Sequence, residues 1–279
     1  MKISPAFTYA AACAVLLVSA ACGDTSAEVH YNRGFDYDES GEYRRAIQEY
    51  DRAIELDPNY ADAYVNRGVA YDNLGEHRRA IEDYDRAIEL NPTDAIAYYN
   101  RGIAYNELGE YRRAIEDYDR AIELDPSDAD TYINSGVAHY ELGEYRRAIE
   151  DYDRAIELNP TDAVAYYNRG SAYDVLGEYR SAIEDYDRAI ELNPTEAGPY
   201  HIRGTVYAVL GEYRRAIENY DRAIELDPTD AVYYYDRGLV FADMGNHRRA
   251  IDDFNKALTL TEDPALQADV EKAIAELQQ

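Results

Sequence analysis

The stretch "EYRRAIEDYDRAIELDP" occupies residues 110–126, and near-copies of it recur six more times along the chain. The alanines of "RRAI" and its variants are Ala46, Ala80, Ala114, Ala148, Ala182, Ala216 and Ala250, a constant step of 34 residues. A fixed period of this length marks a repeat array. Each unit is one supersecondary element that buries its apolar face only by stacking on its neighbours. Seven repeats follow one another: 27–60, 61–94, 95–128, 129–162, 163–196, 197–230 and 231–262.

Each repeat reads as two helices. In residues 95–128, Asp94 follows Pro92 and Thr93, a helix-start signal. A first helix is predicted from about Ala95 to Leu108. Gly109 ends it as a residue tolerant of positive φ. A second helix is predicted from about Tyr111 to Leu124, with Ala114, Tyr118 and Ala121 at helical spacing, and Pro126 stops it. Gly102 falls inside the first helix, where glycine costs roughly 1 kcal/mol against alanine. A glycine nevertheless stands there in all seven repeats, from Gly34 to Gly238. The expected cause is close helix–helix approach, with Ala114 and Ala121 as the small partners.

This pattern resembles the tetratricopeptide repeat family. The resemblance rests on an aromatic at repeat position 4 (Tyr98), Gly at 8 (Gly102), Tyr at 11 (Tyr105), Gly at 15 (Gly109), Ala at 20 (Ala114), an aromatic at 24 (Tyr118), Ala at 27 (Ala121) and Pro at 32 (Pro126). It covers seven consecutive repeats. One departure recurs: the family usually has Leu at position 7, and six repeats here have Arg, such as Arg101. The resemblance implies an all-α, right-handed superhelix of helical hairpins. It also implies a concave groove that binds a peptide or a partner helix rather than performing catalysis.

Composition excludes several chemistries. Of 16 glycines, 14 occupy positions 8 and 15, and all 25 arginines fall at positions 7, 18, 19 and 26. A residue that recurs at one repeat position belongs to a repeated packing or surface pattern rather than to a unique catalytic centre. Tyrosines at positions 11 and 24 are expected in the core. Of the five histidines, His30, His77, His139 and His247 replace aromatics, and His201 joins them without metal-ligand spacing. The glycines punctuate helices and form no phosphate loop. The repeats contain no cysteine. No catalytic residue, metal site, cofactor or small-molecule substrate is expected.

Both cysteines lie in the leader "MKISPAFTYAAACAVLLVSAACGD". Lys2 gives a short positive start, and residues 6–21 are largely apolar and small, which fits an export signal over 1–21. "VSAAC" resembles the end of a bacterial lipoprotein signal, with Cys22 as the lipidated residue. Ser19 stands where that signal prefers Leu. The alternative is ordinary cleavage near Ala20, which gives a soluble periplasmic or secreted protein. Lipidation would leave residues 23–26 as a tether of roughly 14 Å when extended, within a 22–26 linker segment. The mature chain would carry 27 basic and 56 acidic residues, a net charge of −29. Such a body is repelled by nucleic acid and by anionic headgroups. No nucleic-acid partner is expected, and membrane contact is expected only through the anchor.

Positions 2, 5, 6, 9, 12 and 13 share one face of the first helix, and the resemblance implies that this face lines the groove. Among these 42 positions, eleven are acidic and none is Lys or Arg. The carboxylate clamp of chaperone-binding relatives is therefore missing. Position 6 is Asn in repeats 1–5, including Asn66, Asn100, Asn134 and Asn168, a ladder of amides that could meet an extended peptide backbone. Aromatic or apolar anchors are expected at Tyr99, Tyr167, Val175, His201, Ile202, Val209, Tyr235 and Leu239. Groove acidity is expected at Asp38, Asp72, Glu107, Asp130 and Glu141. Repeat 6 breaks the pattern with Gly198, His201, Ile202, Thr205, Ala208 and Val209.

Residues 263–279 are predicted to form a capping helix over the last hairpin, with Leu266, Val270, Ala273, Ile274 and Leu277 as its apolar stripe. The expected function is a non-enzymatic adaptor anchored in the bacterial cell envelope. It binds a protein segment with basic residues toward repeats 1–4 and apolar anchors toward repeat 6. The alternative is a self-assembling array, which light scattering would reveal as an oligomer.

Overall fold

The computed structural model describes residues 26–278; the leader, Cys22 and most of the tether lie outside the described residues. Among the described residues every regular element is an α-helix. They are α1 (Ala27–Glu39), α2 (Tyr43–Leu56), α3 (Ala61–Asn73), α4 (His77–Leu90), α5 (Ala95–Glu107), α6 (Tyr111–Leu124), α7 (Ala129–Glu141) and α8 (Tyr145–Leu158). There follow α9 (Ala163–Val175), α10 (Tyr179–Leu192), α11 (Ala197–Val209), α12 (Tyr213–Leu226), α13 (Ala231–Asp243), α14 (His247–Leu260) and α15 (Pro264–Leu277). Each repeat is one hairpin of two helices. The described chain falls into two compact bodies, one ending at Leu158 and the other beginning at Asn159.

The turn inside each hairpin has a single chemistry. After α5 the Gly109 N–H donates to the Asn106 carbonyl (2.9 Å) and the Glu110 N–H reaches back to the Tyr105 carbonyl (2.8 Å). This is the double bond pattern of a Schellman cap, which needs a left-handed residue. Gly109 supplies it at φ 72°, and its six equivalents lie at 73–75°. The opposite end is capped by Asp94, whose carboxylate accepts from the Ile96 N–H at 3.0 Å. Asp128, Asp162 and Asp230 do the same for α7, α9 and α13.

The mid-helix glycine has a different partner from the one expected. A Cβ built on Gly102 would lie 2.6 Å from Tyr118 Cε1, so the ring at position 24, and not Ala114 or Ala121, occupies the space. Tyr50, Tyr84, Tyr118, Tyr152, Tyr186, Tyr220 and Phe254 are all wholly buried in this way. Burying one such ring contributes about 2–3 kcal/mol, more than the roughly 1 kcal/mol that glycine costs in a helix.

The arginines at position 7 hold successive hairpins together. Arg101 grips Asp117 of its own repeat through Nε (2.8 Å) and Nη2 (2.6 Å), while Nη1 meets Asp85 of the preceding repeat at 2.5 Å. Arg67 bridges Asp83 and Asp51 with the same geometry, and Arg237 bridges Asp253 and Asp221. Arg203 pairs with Asp187, and its Nε donates to Asn219 Oδ1, which stands in place of the second aspartate. Burial works against these guanidinium charges, but the paired carboxylates outweigh it and raise the pKa of Arg67, Arg101 and Arg237. At position 11 a second arginine stacks: the Arg79, Arg113 and Arg215 guanidinium carbons lie 4.0, 3.9 and 4.0 Å from the ring centres of Tyr71, Tyr105 and Tyr207.

Repeat 4 departs from both patterns at once. Ser135 replaces the bridging arginine and donates to Asp151 at 2.8 Å. His139 replaces the stacked tyrosine, with Nδ1 3.0 Å from Glu144 and Nε2 3.8 Å from Asp151. At the chain's end, α15 packs Val270 wholly buried against α13 and α14, with Leu266, Ala273, Ile274 and Leu277 beside it.

Candidate partner-binding face

Helix positions 2, 5, 6, 9, 12 and 13 separate into three classes once burial is known. The amides of position 6 in repeats 2–5 are sealed in, whereas Asn32 of repeat 1 is exposed. Asn66, Asn100 and Asn168 have no exposure and Asn134 has 1%. The expected ladder of amides offered to a peptide backbone is therefore corrected. Two of these side chains instead tie adjacent first helices: Asn66 Nδ2 donates to the Tyr31 hydroxyl and Asn134 Nδ2 to the Tyr99 hydroxyl, both at 2.9 Å. His201 Nε2 and Asp236 Oδ2, 2.7 Å apart, form the same cross-repeat link with both partners exchanged. Side chains that close such a link cannot also reach outward. Tyr99 is correspondingly buried, at 3% exposure.

The acidic set divides in the same manner. Asp38 is buried, and burial followed by the nearby Glu39 charge pushes its carboxyl up to about 6. Asp72 accepts from the Tyr84 hydroxyl (2.8 Å) and lies 3.0 Å from His77 Nδ1. Burial still dominates and pushes it up to about 6. These two are core acids rather than charges offered to a partner. Glu107 and Glu141 are exposed, and Asp130 is half-buried. The surface acidity of this face in the first body comes from them.

Asp151 is a third carboxyl pushed up to about 6, again chiefly by burial. An acid whose folded pKa lies above its unfolded value gives stability that is complete below the unfolded value of about 3.9 and is lost as pH rises through the folded one. The window is therefore pH 4 to 6. The large negative net charge acts in the same direction. The thermal midpoint is expected to be higher at pH 5 than at pH 8. Asp72→Asn keeps an acceptor for Tyr84 and should raise the midpoint at pH 8 by about twice as much as at pH 5, because half of the window is already crossed there. The expected gain is on the order of 2 kcal/mol. Equal loss at both pH values would show that Asp72 is an ordinary structural acceptor.

Apolar exposure is concentrated in the second body. Val175 and Val209, both at position 13, are 50% and 60% exposed, and Val232, Leu239, Leu210 and Met244 are exposed beside them. Ile202, Tyr167 and Tyr235 are half-buried. His201 is committed to Asp236 and packs on Tyr233 and Tyr220, with ring centroids 4.7 and 5.8 Å away. It acts as a spacer between helices more than as an anchor.

In the first body a cleft of about 250 Å³ lies between α5 and α7, lined by Ala95, Ile96, Tyr99, Ala121, Asp125, Ser127, Asp128 and Thr131. Of these only Tyr99 is expected from the sequence as a binding residue; Ala95 and Ala121 are expected only as parts of helices. The position 7 arginines were read as a repeated pattern without their partners, although the aspartates of "DYD" recur at the needed spacing in most repeats. Among the described residues no cluster of three or more His, Cys, Asp or Glu side chains has the geometry to hold a metal ion. Among them also no helix is long and apolar enough to cross a membrane.

Tetratricopeptide repeat profiles match residues 61–94, 95–128 and 163–196, with further profiles of the same repeat at 36–75, 117–150, 136–174, 204–245 and 231–264. The chain is a tetratricopeptide repeat protein. Repeats of this kind build protein-interaction scaffolds that are in general not catalytic. Among solved structures, this tetratricopeptide protein is similar to MamA at 31% identity, over 58% of its own length and 94% of MamA's, with a TM-score of 0.55. It is similar to YrrB, described as a TPR protein with an unusual peptide-binding site, at 27% identity over 64% and 92% of the two chains, TM-score 0.56. A tetratricopeptide repeat protein from Parabacteroides merdae ATCC 43184 shares the fold over 91% of this chain and 99% of that one, at 20% identity and a TM-score of 0.67. No curated protein matches the chain by sequence. The helical solenoid expected from the 34-residue period is thus the fold.

Proposed function

We propose that this protein is a non-enzymatic scaffold of the bacterial cell envelope that binds a peptide or helix of a partner protein on the first-helix face of its repeats. The observation that carries the reading is the exposed apolar set Val175, Val209, Val232 and Leu239 on that face. No arginine or lysine occupies the face, and Glu107 and Glu141 give it exposed negative charge in the first body. A partner segment with apolar anchors complements the exposed set of the second body, and basic residues on a partner complement the acids of the first. Burial of the anchors supplies most of the affinity at about 25 cal/mol per Å². The charges mainly raise the on-rate and make it depend on salt. The similarity to YrrB, whose structure is described by its peptide-binding site, supports the same reading.

The test is capture of partners from the source cells with the parent chain and with a Val175→Asp, Val209→Asp double variant. Both positions are at least half exposed, so the variant should keep its helix content and melting midpoint. It should lose the captured partner. Undiminished capture would move the site off this face.

The leader adds the location. An apolar run ending in "VSAAC" motivates a lipid anchor on Cys22, which holds the repeats at a membrane surface. Cys22→Ser is expected to move the protein from the membrane fraction to the soluble fraction and to abolish fatty-acid labelling. Equal membrane association of the Ser variant would leave an exported but unanchored protein.

A further inference from the structure

The last helix continues the register of the repeats. A further 34-residue step from Ala231 falls on Ala265, so α15 places Asp269 at repeat position 5, Val270 at 6 and Glu276 at 12. Val270 is wholly buried, as the position 6 amides of repeats 2–5 are, and this fixes the alignment. Positions 5 and 12 belong to the first-helix face, and on α15 both carry exposed carboxylates.

In the second body this face is polarised. On α9 and α11 its positions hold a single acid, the half-buried Asp174, and the two most exposed large apolar side chains, Val175 and Val209. On α13 and α15 stand Asp243, Asp269 and Glu276, all exposed, beside Leu239. Asp236 is committed to His201. Glu276 lies 4.0 Å from Lys272, an exposed pair of little strength. Asp243 and Asp269 have no ion pair among the described residues.

Tyr235 lies where the two regions meet, with its ring 5.9 Å from that of Phe254 between centroids. Burial, and then the charges of Asp269, Asp236 and Glu276, push its hydroxyl above the ordinary value, so carboxylates of both α13 and α15 lie close to one half-buried ring. Other rings of this body carry cations of the chain. Tyr200 has Arg203 and Arg222 at 5.6 and 5.9 Å, and Tyr234 has Arg237 and Lys256 at 5.7 and 5.9 Å. Among the described residues no cation lies over Tyr235.

We propose that α15 takes part in recognition: a partner segment lays aliphatic side chains against Val175, Val209 and Leu239 and sets a lysine or arginine over Tyr235, next to Asp269 and Glu276. The inference rests on the reading of this face as partner-binding. It adds a basic contact within the second body and gives the bound segment a polarity. Carboxylates beside an aromatic face attract a cation through charge and through the ring quadrupole. From α11 to α15 is two helix spacings, about 16–20 Å, which five or six extended residues span at about 3.3 Å each.

The chain contains no tryptophan, so indole fluorescence reports only an added probe. The probe is acetyl-Leu-Trp-Leu-Gly-Gly-Gly-Lys-Lys-amide, with a twin ending in Glu-Glu, each titrated with the full chain at physiological salt. Saturable binding of the lysine peptide is expected, with the glutamate peptide weaker by roughly fivefold or more. Asp269→Lys with Glu276→Lys changes two exposed residues and should cancel or reverse that preference. Glu107→Lys with Glu141→Lys adds the same charge to the first body and should leave the preference within about twofold, because salt screens distant charges. Equal effects of the two charge exchanges, or a preference that survives Asp269→Lys with Glu276→Lys, overturns the proposal. No saturation of the lysine peptide up to about 1 mM does the same. So does a dimer that Val175→Asp, Val209→Asp converts to a monomer, which would put a second copy on this face. If the peptide fails while Val175→Asp, Val209→Asp still abolishes partner capture, the wider function stands and only the basic contact on α15 is dismissed.

Discussion

Leucine in place of Gly136 opens the α7–α8 hairpin. A Cβ at Gly136 would lie 2.5 Å from Tyr152 Cε1 and 2.8 Å from Cδ1, closer than real Cβ contacts come. Tyr152 is wholly buried, so its ring has no free volume into which to retreat. Leucine gains almost 1 kcal/mol of helix propensity over glycine. Against this stand the overpacking of one Cβ, typically about 1–3 kcal/mol, the three further carbons of leucine, and partial loss of the burial of Tyr152. A net destabilisation of about 3 kcal/mol or more is expected. Repeat arrays lose stability locally because each repeat touches only its neighbours. Amide exchange should therefore rise first in α7 and α8, ahead of α1 and α2. Gly143→Ala is the contrast. It has open space around its Cβ but a φ of 75°, so its cost is backbone strain of about 1 kcal/mol and no ring is displaced. Matching urea midpoints for Gly136→Leu and the parent would show that the ring and the glycine are not in contact.

Removing the guanidinium of Arg101 is the second large effect. Asp117 is 5% exposed, and burial already pushes its carboxyl up; Arg101 offsets that only in part. Arg101→Ala leaves this carboxylate without its two short bonds, whereas Asp85, half exposed, returns to water. Breaking a buried pair on one side costs about 3–5 kcal/mol. The arginine side chain is 18% exposed here, so about 2–3 kcal/mol is expected. Adding Asp117→Ala should recover much of that, because the stranded charge is gone. Arg101→Leu with Asp117→Ala should come close to the parent, since an apolar pair of similar volume replaces a buried ion pair at little cost. A double-mutant cycle measures the coupling. Additive losses in Arg101→Ala and Asp117→Ala would mean that the bridge is a surface contact and not a joint between repeats.

Repeat 4 lacks this bridge. Ser135 and His139 meet Asp151 where the other repeats place arginine and tyrosine. The departure was visible in the sequence as two separate exchanges, at positions 7 and 11. That both converge on one carboxylate was not, because Asp151 lies on the other helix of the hairpin.

The sequence by itself determined the architecture. A 34-residue period, glycine at position 15, aspartate at the helix start and proline at the end specify helices through local rules of turn and cap. The hairpin helices came within a residue of the predicted ends, as α5 and α6 show. The capping helix and its apolar stripe were legible for the same reason: helical periodicity is read within one segment. Tertiary structure alone decided which side chains of a helix face remain available. Asn66, Asn134 and Asp72 share a stripe with Val175 and Val209, and helical spacing cannot separate them. What separates them is the approach of the next helix, which seals the amides against Tyr31 and Tyr99 and leaves the valines in water. The open cleft at Tyr99 is of the same kind. It is lined by residues of α5, α6 and the start of α7, about thirty residues apart in the chain, and period and pattern describe one segment at a time.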